Sequence, residues 1–264
     1  MKTVAARLNS VHVSLIVLSL VFTGLADAKI DQETVVGLWL FDDEEQHDTT
    51  QDSSGNGHDG TIREGIEWTE KGKFGSALEF PGLDASYVSV THEDSLSLAT
   101  FTITAWVNME MVVDRYPVIV AKFGAVRNYG IAINKDSEVP YLQFHVGGNY
   151  NEFRGRTVVT DQQWHHIAAS YDNEFVRFYV DGVPEFETPF SGEPDSNDAL
   201  LTFGGGPGTS PARGLIDEVG LFNAALTVDE INMIMIDGLE KIFGGTAVSG
   251  SGRLATTWAR VKSR

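Results

Sequence analysis

Residues Trp164–Gly182, WHHIAASYDNEFVRFYVDG, limit what this chain can become more than any other stretch. Two runs rich in β-branched and aromatic residues, Trp164–Tyr171 and Phe175–Val180, flank the polar break Asp172-Asn173-Glu174, a pattern that predicts a tight antiparallel hairpin. One face of the second run carries Val176, Phe178 and Val180, and the other carries Phe175, Arg177 and Tyr179. Neither face is plainly polar. The hairpin therefore belongs inside a sandwich, with one face in the core and the other on a concave or covered surface.

The rest of the chain repeats that signal. Strands are predicted at Val35–Phe41, Ile66–Trp68, Ala77–Phe80, Tyr87–Val90, Phe101–Asn108, Pro117–Phe123, Tyr129–Asn134, Tyr141–Val146, Ala199–Phe203 and Gly214–Phe222. Phe101–Asn108 alternates cleanly: Phe101, Ile103, Ala105 and Val107 point one way, Thr102, Thr104 and Trp106 the other. Short strands broken by turn residues, with no helix among them, predict an all-β sandwich. Asp52–Ile62, Gly147–Arg156 and Glu185–Asp198 read as turns or loops. One helix is predicted near the end, where Thr227 and Glu230 form a capping box, Ile231, Ile234 and Met235 an apolar stripe, and Gly238 a stop.

The two ends differ from the body. Lys2 and Arg7 precede an apolar run from Val11 to Leu25, and Ala26-Asp27-Ala28 supplies small residues for a peptidase, so residues 1–28 are expected to be a secretory signal cleaved after Ala28. Gly244–Arg264 opens on Gly, Ser, Ala and Thr and closes on a basic stretch with Trp258, as a flexible tail does. Between them, Lys29–Phe243 suits one large β-domain, and with no cysteine in the chain a disulfide has no part in it. That body holds 13 basic against 36 acidic residues, a balance that argues against nucleic acid and anionic lipid and favours cations or neutral ligands such as glycans.

GLWLFDD at 37–43, DSSGNGHDGTI at 52–62, FGSALEFPGLDASYVSV at 74–90, FTITAWVN at 101–108, QWHHIAASYDNEFVRFYVDGV at 163–183 and GLIDEVGLFNAALTVDEI at 214–231 follow one another in order. Together they resemble the blocks of a laminin-G-like jellyroll domain, a branch of the concanavalin A-like lectin and glucanase superfamily. The resemblance implies two antiparallel sheets, one concave and one convex. It also implies an extracellular or cell-surface protein that binds carbohydrate or another protein and contacts calcium. The calcium positions it carries over are Asp42, Gly82 and Asp217, a mixture of carboxylate and carbonyl oxygens that suits this ion. The cysteine bridge of many relatives is missing.

Glycoside hydrolysis needs two carboxyl groups facing one substrate. The E-x-D-x-E run of the jellyroll glucanases is absent. Asp217 and Glu218 are the nearest approach, and as adjacent strand residues they are expected to face opposite sides. His165 and His166, also neighbours, are expected to point apart and not to chelate one ion. The sequence thus points to a secreted binding module for carbohydrate or an extracellular partner with no catalytic residues, a glycosidase or a purely structural, adhesive domain being the alternatives. The ligand surface is expected on loops at one rim, where Tyr116, Arg127, Tyr129, Tyr150, Asn151, Phe153 and Arg154 combine aromatic faces with amide and guanidinium donors.

Overall fold

The computed structural model describes residues 29–43, 48–111 and 113–244. The expected leader at 1–28, and all of the expected tail after Gly244, lie outside the described residues. Strands are numbered along the chain. Sheet A runs in the order β14 (Val183–Pro189), β13 (Phe175–Val180), β12 (His165–Tyr171), β7 (Phe101–Glu110), β16 (Arg213–Phe222), β5 (Ala77–Pro81) and β4 (Glu67–Thr69), with β1 (Val35–Trp39) also paired to β16. Sheet B runs β11 (Asn149–Arg154), β10 (Pro140–Val146), β9 (Arg127–Ile133), β8 (Val118–Phe123), β15 (Leu201–Phe203), β6 (Val88–Val90), β3 (Gly60–Ile62) and β2 (Thr49–Thr50). All of these ladders are antiparallel. The chain is an all-β jellyroll sandwich.

The central hairpin forms as its residues predict. Val176, Phe178 and Val180 enter the core beside Ile103, Ala105 and Val107 of β7, and meet Tyr129, Ile131, Leu142 and Phe144 from sheet B. Removing such side chains from water contributes roughly 1.5–3 kcal/mol for each large one. The other face of sheet A is covered. Helix α1 (Val228–Asp237) and the short α2 (Leu239–Phe243) set Ile231, Ile234 and Leu239 against Tyr179, Ala168, Phe222 and Leu38.

Helix α1 starts at the predicted box: the Thr227 side chain accepts from the Glu230 N–H, and Glu230 returns the bond to the Thr227 N–H. It stops at Gly238, whose φ of 75° is open to glycine. Replacing Thr227 by Ala leaves a first-turn N–H without its acceptor. It is expected to cost about 1 kcal/mol, read as a shift in the urea midpoint with an unchanged slope.

Three segments read as loops contain strands: Asp52–Ile62 holds β3, Gly147–Arg156 holds β11, and β14 extends into Glu185–Asp198. Strands β11 and β14 are sheet edges and mostly solvent-exposed, so their sequences lack the apolar run that marks a strand buried on both faces.

Candidate functional site

The outer face of sheet B is open and holds a cleft of about 650 Å³. Strand alternation builds its floor. Tyr141, Gln143 and His145 of β10 lie opposite Arg154, Glu152 and Tyr150 of β11 and line the cleft. The alternate pairs, Leu142 with Phe153 and Phe144 with Asn151, take the inner face.

Arg127 reaches this face through a β-bulge. Lys122 pairs with Tyr129 and Phe123 with Arg127, so Asn128 is the extra residue and reverses the alternation on its N-terminal side. The Asn128 side chain holds the bulge by accepting from the Leu98 N–H at 2.8 Å and donating to the Leu98 and Asp195 carbonyls. As a result Arg127 lines the cleft while Tyr129, two residues on, is buried in the core and donates its hydroxyl to the Leu96 carbonyl at 2.9 Å. Next to it the Phe123 ring lies down on Gly130, where a Cβ would sit 2.4 Å from the ring.

The guanidinium of Arg127 stacks between two rings, 4.7 Å from the centroid of Phe123 and 5.0 Å from that of Tyr150, and donates to Gln143 Oε1. Glu152 accepts from Arg154 Nε at 2.5 Å and from the Tyr150 hydroxyl at 2.6 Å. Burial, then the Glu152 carboxylate, pushes the Tyr150 phenol far above its ordinary range, and burial pushes Tyr141 up to about 12. Both therefore stay neutral donors.

Of the residues expected to meet a ligand, Tyr116, Arg127, Tyr150 and Arg154 come together in the cleft. Tyr129, Asn151 and Phe153 do not: Tyr129 is a core residue, Asn151 bonds to the Asn149 carbonyl, and Phe153 packs on Phe144 and Phe190. The floor of the site is the face of a sheet, because Gly147–Arg156 folds into β11, while Tyr116, Gly124, Ala125, Gly208, Thr209 and Ser210 line it from loops. Sequence reading passed over Phe123, Tyr141, Gln143, His145 and Glu152. The signal for Tyr141, Gln143 and His145 was the period-two pattern of YLQFHV, polar or aromatic at these three positions and apolar at Leu142, Phe144 and Val146.

A second group of charges lies on sheet A. Asp42 Oδ1 accepts from the Ser76 N–H at 2.6 Å, and Asp217 Oδ2 accepts from the N–H groups of Lys73 and Phe74 at 2.7 and 3.0 Å. The segment Lys73–Ser76 thus carries both carboxylates. Gly75, at φ 58°, allows this approach, since a Cβ there would sit 2.2 Å from Asp42 Oδ1. Gly82 is elsewhere. Leu78 is opposite Ile216 and Pro81 opposite Arg213, so Gly82 lies past the far end of β5, roughly 16 Å along the chain from the residue beside Asp217.

Asp217 and Glu218 do not face opposite sides. Asp217 pairs with Trp106 and Gly220 with Thr104, so Glu218 and Val219 share one partner position and form a bulge, with Glu218 at φ 51°. Ile216 and Val219 keep their places in the core, and Glu218 is spared from it. Its Oε2 accepts from the Leu239 N–H, while Glu218 Oε1 and Asp217 Oδ1 are buried with no hydrogen-bond partner. Burial, followed for Asp217 by the charges of Glu218 and Asp42, raises both carboxyls, Asp217 to about 8 and Glu218 to about 7.

His165 and His166 point apart as expected. His165 sits between Asp181 at 2.8 Å and Asp161 at 3.1 Å near the surface, whereas His166 is fully buried against Trp106.

The family profile described as the concanavalin A-like lectin/glucanases superfamily matches residues 82–232. The chain is similar to adhesion G-protein coupled receptor V1 of Danio rerio, with 25% identity over 169 residues that cover 59% of this chain and 3% of the receptor. It is similar in structure to domain 4 of AbnA, a GH43 extracellular arabinanase from Geobacillus stearothermophilus, in complex with arabinotriose: TM-score 0.59, 22% identity, covering 76% of this chain and 98% of that domain. It is also similar to the binding domain of Paraclostridial Mosquitocidal Protein 1, with a TM-score of 0.62, 16% identity and coverage of 77% of this chain and 52% of that one. The chain thus spans a small part of the receptor and about half of the mosquitocidal protein's binding domain.

Proposed function

This chain belongs to the concanavalin A-like lectin/glucanases superfamily, and from that premise we propose that it is an extracellular, non-catalytic module that binds a saccharide in the sheet B cleft. One observation carries the reading: Tyr116, Tyr141 and Tyr150 line the same open cleft as Arg127, Gln143 and His145. Aromatic faces cover the apolar faces of a sugar ring, and the intervening donors and acceptors suit its hydroxyls. The arabinanase domain was solved with arabinotriose, which supports a saccharide over other small ligands. Glu152 is the one carboxylate among the described residues that line the cleft, and hydrolysis of a glycoside uses two, which favours binding without cleavage. The location outside the cell rests on the leader pattern of residues 1–28 and on the family.

The same reading includes a calcium ion at Asp42 and Asp217. Its support is the unpartnered Asp217 Oδ1, with Glu218 Oε1 orphaned beside it. Carboxylate oxygens buried without a donor suit a hard cation. Among the described residues no three His, Asp or Glu side chains form a ready-made cage, so main-chain oxygens or water complete the ligand set. The ion would supply the positive charge that this acidic group lacks.

Titration calorimetry with a panel of neutral oligosaccharides, arabinotriose among them, tests the cleft. Tyr150→Ala is expected to weaken the best ligand roughly tenfold, the loss of one stacking face. If no saccharide binds, or if the best ligand is indifferent to Tyr150→Ala and Tyr116→Ala alike, the cleft is not a saccharide site.

A further inference from the structure

We propose that the cleft selects an otherwise neutral saccharide carrying a single carboxylate, a uronic or sialic acid residue, and that Arg127 is the residue that reads it. The inference rests on the saccharide reading above and adds the charge of the ligand.

The observation behind it is a cation with no counterion in an acidic protein. The body has only 13 basic residues against 36 acidic ones, yet two arginines line this one cleft. Arg154 is neutralised by Glu152, whose other oxygen is taken by the Tyr150 hydroxyl. Arg127 makes no ion pair among the described residues. Its partners are two ring faces and the amide oxygen of Gln143, a side chain only 2% exposed. That arrangement uses Nη1 and leaves Nε and Nη2 without a partner among the described residues.

A guanidinium clamped this way is already ordered. It keeps a planar fork of donors that matches a carboxylate, and little side-chain entropy remains to be lost on binding. A second donor stands beside it. The Arg127 main-chain N–H donates to His145 Nδ1 at 3.1 Å, which leaves Nε2 as the donor of this cleft-lining ring. Tyr150 and Tyr141 are held as neutral phenols. Neither phenol brings a negative charge, so the cleft keeps one uncompensated positive charge.

The acidic body limits how much negative charge the ligand can bring. At physiological salt a charge is felt over about 8 Å, so one carboxylate seated on Arg127 is shielded from the surrounding acids, while a polyanion running out of the cleft meets them.

The test titrates the full chain with sialyllactose and with oligosaccharides ending in one glucuronate or galacturonate, each beside its methyl ester. A long oligogalacturonate and a peptide with a free C-terminal carboxylate form two further arms. At least one acid is expected to bind roughly tenfold more tightly than its ester. Arg127→Met should bring acid and ester to equal affinity in a chain that still unfolds cooperatively, and Arg127→Lys should keep part of the difference. Equal binding of acid and ester, both weakened by Tyr150→Ala, overturns the carboxylate inference and leaves the saccharide site standing. Binding of no saccharide overturns both. Tighter binding of the long oligogalacturonate than of any single-carboxylate ligand overturns the limit to one charge, and binding of the peptide alone assigns the cleft to a protein partner.

Discussion

Calcium at 1 mM should raise the melting temperature of the metal-stripped chain by roughly 5–10 °C at pH 8, the size of effect given by a site about half-filled near 10 μM. The expectation follows from what the fold does to its own carboxylates. Burial raises Asp217 to about 8 and Glu218 to about 7, so in the folded chain each holds its proton more tightly than in the unfolded one. A raised value adds stability that is full below the unfolded pKa near 4 and is lost as the pH rises through the folded one. The metal-free chain is thus expected to weaken from acid toward pH 8, where both groups must carry charge without a partner for Asp217 Oδ1 or Glu218 Oε1. A divalent ion reverses that penalty, so its effect should shrink at pH 5, where protons compete for the same oxygens. Asp217→Asn should melt no lower than the metal-free parent at pH 8 and should ignore calcium. Identical melting in calcium and in EDTA at pH 8 would remove the ion from the proposal.

Acid is expected to act through a different residue of the same face. His166 lies in a row with Trp106 and Asp217 across β12, β7 and β16, fully buried, with neither ring nitrogen partnered among the described residues. Burial, against the pull of Asp181 and with the help of the Lys73 charge, lowers it to about 3. A depressed value contributes stability that is present above the unfolded pKa near 6.5 and is lost as the pH falls toward the folded one. Between pH 7 and pH 4 the loss is about 3 kcal/mol. Urea unfolding at each pH should therefore show His166→Leu gaining on the parent by about this amount as the pH falls from 7 to 4, since the variant cannot take up the proton. Equal slopes for the two chains would mean that His166 is not buried as a neutral ring. The difference between the chains isolates this residue from Asp217 and Glu218, which titrate in both.

Much of the sandwich was legible. The central hairpin, the alternation of Phe101–Asn108 and the capping box at Thr227 each depend on residues close in sequence, and each formed as those residues predict. Strands β11 and β14 were missed because an edge strand need not be apolar. The candidate site was legible in part. Tyr116, Arg127, Tyr150 and Arg154, chosen for their side-chain chemistry, share one cleft, and Asp42 and Asp217, chosen for a block resemblance, share the segment Lys73–Ser76. Gly82 does not join Asp42 and Asp217: two Phe- and Gly-containing turns lie close together in the sequence, and only the fold brings Phe74-Gly75 under Asp217.

By itself the sequence determined the class of fold, the strand faces that pack the core, the C-terminal helix with its capping box and the acidic character of the chain. Tertiary structure alone decided which residues share a site. Both decisions turn on bulges. The extra residue at Asn128 parts Arg127 from Tyr129, which strict alternation would keep on one face. The extra residue in Glu218–Val219 joins Asp217 to Glu218, which strict alternation would separate. A bulge is a mismatch in length between two paired strands, stabilised by contacts such as those of Asn128 with Leu98 and Asp195, distant in the chain. Periodicity within one strand carries no record of it.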